Sequence, residues 1–212
     1  MVRRLVNRNS VAITGAIIGL FSLPFGWLTL KSSRLAAGTG LNLWEAVGWE
    51  SATVLLVLWH ACLILSLSGK SRRRAIILGI AANSILVITF LFAGLAANHL
   101  IEQAAPFARV SLSAGIWITL AATYILIFAS RQRLQDSRAW RNLISWGGLV
   151  IVITFLFTGW FNDLSVVQEF TGREARFQQE LLRHIFLFGG SVTAGTLIGI
   201  PLGIWAVHSR RA

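Results

Sequence analysis

Four histidines, one cysteine and eight acids are the side chains in this sequence with catalytic or metal-binding chemistry to offer. His60 and Cys62 share one apolar stretch. Two residues apart on a helix, they point about 200° away from each other, so they do not share a metal. His99, His184 and His208 lie in other loops or ends. No ligand pair has metal spacing, and no phosphate loop, nucleotide fingerprint or HExxH occurs. None of the acids falls deep in an apolar stretch, where ion-coupled carriers keep their ionisable groups. The sequence therefore predicts no catalytic residue, no metal ligand and no cofactor. It points away from an enzyme, an intramembrane one included. Asn83, Ser84, Thr89, Tyr124 and Thr193 are the polar residues placed to hydrogen-bond between helices, a structural role before a binding one. No substrate-binding residue emerges.

The elements that carry these residues are long and apolar. A helix needs about 20 mostly apolar residues to cross ~30 Å of hydrocarbon. Six stretches meet that length: Val11–Leu30, Ala52–Leu67 (starting near Trp49), Ala75–Ala97, Leu112–Ser130, Leu143–Phe161 and Leu182–Val207. The first is longer than a signal-peptide core of ~7–15 residues and reads as a retained first helix. Between them lie polar loops. Lys31–Trp49 is rich in Gly and Ser and carries Trp44 and Trp49, which suit a belt at the outer interface. Asn162–Arg183 is the longest, and Arg173–Arg183 within it has the spacing of a short amphipathic surface helix leading into the sixth span.

Charge segregates across these loops. On the side holding the N-terminus lie Arg3, Arg4, Arg8, Lys70, Arg72, Arg73, Arg74, Arg131, Arg133, Arg138, Arg141, Arg210 and Arg211, 13 of the 19 basic residues, with one acid, Asp136. The other side holds Lys31, Arg34, Arg109, Arg173, Arg176, Arg183 and the remaining seven acids. Short loops rich in Lys and Arg stay cytoplasmic. The fold class is thus all-α and polytopic, with six transmembrane helices and both termini cytoplasmic. Composition agrees: 55% of residues are hydrophobic, 13% charged, and mean hydropathy is +0.69. The net charge of +11 sits beside apolar stretches, so it pairs with anionic lipid headgroups rather than nucleic acid. The lone Cys62 allows no intrachain disulfide and says nothing about redox compartment.

Glycine and proline mark the spans. Gly15-x3-Gly19 and Gly195-x3-Gly199 have the spacing that lets helices approach closely. In Gly199-Ile-Pro-Leu-Gly203 an amide donor is missing and side-chain bulk is low, so the last span loosens there, as a fixed kink or as a pivot.

Several segments together resemble a known family. They are Phe161-Asn-Asp-Leu-Ser165, Gln168-Glu-Phe170, Leu182-Arg-His-Ile-Phe-Leu-Phe-Gly-Gly190 and Leu197-Ile-Gly-Ile-Pro-Leu-Gly-Ile-Trp205. Upstream stand Arg34-Leu-Ala-Ala-Gly-Thr-Gly40 with Trp44, and Ala108-Arg-Val-Ser-Leu-Ser-Ala-Gly115 with Trp117. This set is similar to the permease subunits of bacterial ABC importers for osmoprotectants, the glycine betaine and choline systems, in the YehY-like branch that carries extra helices ahead of its core. The resemblance covers most of the chain from Arg34 onward. The Gly-Ile-Pro-Leu-Gly piece alone is shared by many ABC permeases; the combination is more specific. It implies a multi-pass protein of the bacterial inner membrane, partnered by an ABC ATPase and a periplasmic solute-binding protein. It also implies further helices and a Glu-Ala-Ala coupling loop beyond the sixth span, and the sequence reaches Ala212 without them.

The expected organisation is residues 1–161 as an N-terminal region of five helices, 162–181 as a periplasmic segment with a short amphipathic helix, and 182–212 as the first helix of the permease core. The chain then matches the N-terminal half of such a permease, as a fragment, a truncated product or a split subunit whose remaining core comes from another chain. The rival reading is a permease-derived structural or regulatory membrane protein without transport. Topology has a direct test. Reporter fusions after Lys70 and after Gln135 are expected to read as cytoplasmic, and fusions near Gly40 and Glu169 as periplasmic. A periplasmic signal from the basic turn at 68–74 would overturn the charge argument.

Overall fold

The computed structural model describes residues 9–69 and 71–208, so Arg3, Arg4, Arg8, Lys70, Arg210 and Arg211 lie outside the described residues. Among the described residues seven helices and three short strands follow one another: α1 (Ser10–Ser22), β1 (Leu28–Lys31), β2 (Gly38–Leu41), α2 (Leu43–Leu67), α3 (Arg72–Glu102), β3 (Arg109–Leu112), α4 (Ala114–Arg131), α5 (Arg138–Phe157), α6 (Ser165–Thr171) and α7 (Glu174–His208). Five of them, α2, α3, α4, α5 and α7, are long and apolar enough to cross a membrane. The chain divides into two compact units, Met1–Val167 and Gln168–Ala212.

The expected first span, 11–30, is not one helix. α1 has 13 residues, a rod of about 20 Å at 1.5 Å per residue. Pro24 ends it. Proline has no amide to donate, so the helical ladder cannot pass through it. The Leu23 amide closes the last turn on the Leu20 carbonyl at 3.3 Å. The apolar run 27–30 that extends the hydropathy signal is the start of a strand. That strand corrects the all-α expectation: β1 lies between β2 and β3 in an antiparallel sheet of order β2-β1-β3. Leu28 pairs with Leu41 on one side and Leu112 on the other. The loops 31–49 and 98–111, expected to be irregular, therefore supply the outer strands, and helix ends as well.

Other boundaries move outward. α2 starts at Leu43 because Asn42 and Glu45 form a reciprocal cap, each side chain bonded to the other's backbone amide at 2.9 Å. This is a capping box. Gly48 then takes φ +77°, interrupting α2, a backbone region favoured by glycine. Trp44 and Trp49 stack across the interruption, centroids 5.6 Å apart. The basic turn 68–74 is half helix, since Arg72 opens α3 behind the Ser71 cap. The segment 173–183, expected as a separate surface helix, belongs to the continuous α7, which runs ~52 Å with Pro201 inside it.

In the first unit α1 packs on α4 and α2, α4 on α3, and α3 on α2 and α5. Small residues make these approaches close. A methyl group added at Gly19 would lie 2.2 Å from the Trp59 ring, and one at Gly15 2.9 Å from Ile125. The Gly15-x3-Gly19 face thus seats α1 between α2 and α4. Trp27 and Trp59 are fully buried, core residues rather than belt anchors.

Overpacking at this seam is expected to cost about 1–3 kcal/mol. Gly19→Leu should lower the melting temperature of the detergent-purified protein and its yield. Gly195→Ala on α7, where the added methyl meets nothing within 4 Å, should lower neither. Equal behaviour of the two variants would remove the Gly19–Trp59 contact from the account.

Candidate functional site

The expected chemical residues do not come together. His60 is exposed on α2, its Nδ1 2.8 Å from the Leu56 carbonyl, while Cys62 is buried. His99 sits in the last turn of α3 and not in a loop; its Nε2 is 3.0 Å from Gln103. His184 lies within α7 and His208 is its last residue. Among the described residues no three His, Cys, Asp or Glu side chains gather as a metal site would need.

Polar side chains instead join helix to helix, and Asn83 does so most fully. Its Nδ2 donates to the Gly79 carbonyl at 2.7 Å and to the Ile144 carbonyl of α5 at 3.0 Å. Its Oδ1 accepts from the Gly148 amide at 2.7 Å. Ile144 and Gly148 are the acceptor and donor of one helical turn, so a single carboxamide clasps that turn from the side. Gly148 gives it access, since an added methyl would lie 2.5 Å from Oδ1. Ser22 and Thr119 share a buried 2.6 Å bond between α1 and α4. Ser130 of α4 donates to the Ala75 carbonyl of α3, and the Trp160 indole donates to the Leu91 carbonyl at 3.1 Å. Of the five polar residues singled out in the sequence, Asn83 makes the interhelical bonds. Thr89 is buried with its hydroxyl unpartnered, and Tyr124 is exposed. Nothing in sequence pattern distinguishes Ser22, Thr119 or Ser130, whose partners are set by tertiary contact.

The two ends of the first unit differ. At one end the three loops assigned by charge to the acidic side meet. The sheet joins the first two, and the third adds a parallel bridge from Leu164 to Val110, a Ser111–Ser165 bond of 3.1 Å and an Asn98–Asp163 bond of 3.1 Å. At the other end Asn9, Ser66, Ser71, Arg74, Ser130 and Arg133 line one cleft of about 20 Å³, drawn from four helix ends on the basic side. Two larger hollows open between helices. One of about 450 Å³ lies near Trp44, Glu45, Ser51 and His99. The other, about 350 Å³, runs between α3 and α5 beside Asn83.

The family model of the ABC transporter permease YehY, N-terminal domain, matches residues 7–167, 161 of the 212 residues, and ends where the first compact unit ends. No curated protein and no solved structure matches the chain.

The Asn83 clasp has a quantitative test. Interhelical side-chain bonds in membranes average ~0.6 kcal/mol and reach ~1.7 kcal/mol. Asn83→Ala is therefore expected to destabilise by on the order of 1 kcal/mol. Because Asn83 and Gly148 touch, the double variant Asn83→Ala/Gly148→Ala should lose less than the two single losses together. Strict additivity would show that the contact does not hold α3 to α5.

Proposed function

We infer the role of this chain from one premise: it belongs to the family of N-terminal domains of the ABC transporter permease YehY. It is a multi-pass membrane component of an ABC transporter, which works with an ATPase and with further permease parts, and not an enzyme of bond chemistry. Beyond that, we propose that the transporter is an importer of the bacterial inner membrane. Its solute is an osmoprotectant such as glycine betaine or choline, delivered by a periplasmic binding protein. What carries the reading is where the residues of the resemblance fall. The piece 34–40 runs into β2, 108–115 contains β3, and 161–165 bonds onto β3. Pieces far apart in sequence and shared with one importer branch make a single structural feature.

The topology that goes with this reading has six crossings and both termini cytoplasmic. α1 is the first crossing despite its length. Asn9 at its start lines the basic-side cleft, and after its end Leu23, Trp27 and Leu28 continue, buried, into the sheet at the opposite end. Residues 182–212 are the first helix of the permease core, and 162–181 its periplasmic lead. In a strain lacking other betaine uptake, the permease containing this chain is expected to accumulate labelled glycine betaine at high salt, given its ATPase and binding protein. Excess choline should compete. Accumulation of some unrelated solute, or ATP-dependent loss of betaine from the cells, would overturn the osmoprotectant reading.

A further inference from the structure

The hollow between α3 and α5 has features that select an occupant. Its walls are Ile80, Val87 and Ile88 of α3 and Leu143, Gly147 and Ile151 of α5. The one strongly polar side chain on it, Asn83, has no amide hydrogen left to offer a ligand. Both its amide hydrogens and its oxygen are engaged by Gly79, Ile144 and Gly148. Ser84 is the one other polar side chain on the wall. A polar solute gains no donor from Asn83. At about 350 Å³ the hollow is on the scale of one slender chain. A hydrocarbon chain fits both the chemistry and the size.

Charge says what the chain is attached to. α3 and α5 both begin at the basic end. Arg73 precedes Ile80 by seven residues, and Arg141 precedes Gly148 by seven, so each arginine lies on the helical face that lines the hollow. Arg73 is exposed and Arg141 half-buried. Each stands about two turns, ~10 Å, toward the basic end from its wall residue. No ion pair holds either among the described residues. We propose that this hollow is a binding site for an anionic phospholipid, one acyl chain lying between α3 and α5 and the phosphate held by Arg73 and Arg141. Pairing of interhelical basic residues with lipid phosphates follows from the same electrostatics that draws basic segments to anionic leaflets. The proposal goes beyond the transport reading and does not depend on which solute is carried.

The test is lipid retention by the full chain, purified and placed in nanodiscs of phosphatidylethanolamine doped with phosphatidylglycerol of the same acyl chains. Native mass spectrometry reads the bound lipid. The wild type is expected to retain phosphatidylglycerol selectively, and Arg73→Gln/Arg141→Gln to reduce that selectivity by about tenfold or more. Arg131→Gln/Arg133→Gln, on the same membrane side but off this face, should leave it unchanged. Gly147→Leu puts bulk into the hollow at a position where a new Cβ meets only an ordinary contact, 3.6 Å from Leu143; it should abolish retention in a protein that still folds. Equal losses in both arginine pairs would mean diffuse surface charge and overturn the site. So would unaltered retention in Gly147→Leu. A dimer that Gly147→Leu dissolves, with no dependence on lipid, would assign the hollow to a second copy instead.

Discussion

A peptide group in hydrocarbon has no water to bond, and each one left unpaired costs several kcal/mol. The first unit is arranged around that constraint at the one place where a helix could not satisfy it. Pro24 breaks the ladder of α1 while the chain is still surrounded by core. The segment that follows is covered on both edges. The Trp27 amide donates to the Leu41 carbonyl at 2.8 Å, the Trp27 carbonyl accepts from Ser113 at 2.9 Å, and the Gly26 carbonyl accepts from Gly115 at 2.8 Å. β1 then pairs with β2 and β3. Two loops separated by α2 and α3 are thereby locked to the end of α1, and the third loop closes onto β3 through Leu164. A short helix and a small sheet are thus one solution: the sheet supplies the pairing that the missing helical turns would have given.

This explains which parts of the fold were legible in the sequence. Hydropathy found every long helix, because 18 or more apolar residues leave no other reading. It failed at 23–31 because a window counts apolar residues and does not know that Leu28 and Leu30 are paired as a strand. Gly38–Leu41, with two glycines in four residues, has no alternation to detect. The Asn42-x-x-Glu45 spacing was a visible capping box, and using it would have started α2 at Leu43. Charge parity put 31–49, 98–111 and the start of 162–183 on one side, and within the first unit these segments meet at the sheet. Among the polar residues Asn83 was singled out as interhelical, but only the packed structure supplies the Ile144–Gly148 turn that it grips. The family, too, was legible: of its pieces, 34–40 and 108–115 carry strands and 161–165 bonds onto them, while 182–190 and 197–205 lie in α7.

Tryptophan and glycine divide the packing between them. Belt anchoring was the expectation for Trp44 and Trp49, and Trp49, 73% exposed, is compatible with it. Trp27 and Trp59 are fully buried. Trp59 lies against Gly19, and Trp27 lies 2.7 Å from the position of a methyl on Gly115. Large rings opposite missing side chains give dense contact where no hydrophobic drive operates between helices. Their indole nitrogens have no bonding partner, so these rings are held by shape and dispersion, and a modest change of volume on the glycine side is felt at once.

The glycines of α7 follow a different logic. Gly15, Gly19, Gly79, Gly94, Gly115 and Gly148 in the first unit each face a neighbouring atom within 3.0 Å of an added methyl. Gly189, Gly190, Gly195, Gly199 and Gly203 meet nothing within 4 Å in their own unit. In an exposed helix each would cost up to ~1 kcal/mol relative to alanine, and Pro201 about 3 kcal/mol. A transmembrane helix keeps such residues where neighbouring helices re-satisfy its backbone and use the space. The density of Gly and Pro between residues 189 and 203 therefore fits a helix shaped for close partners. The first unit is tied by the sheet at one end and by the Ser130–Ala75 bond at the other.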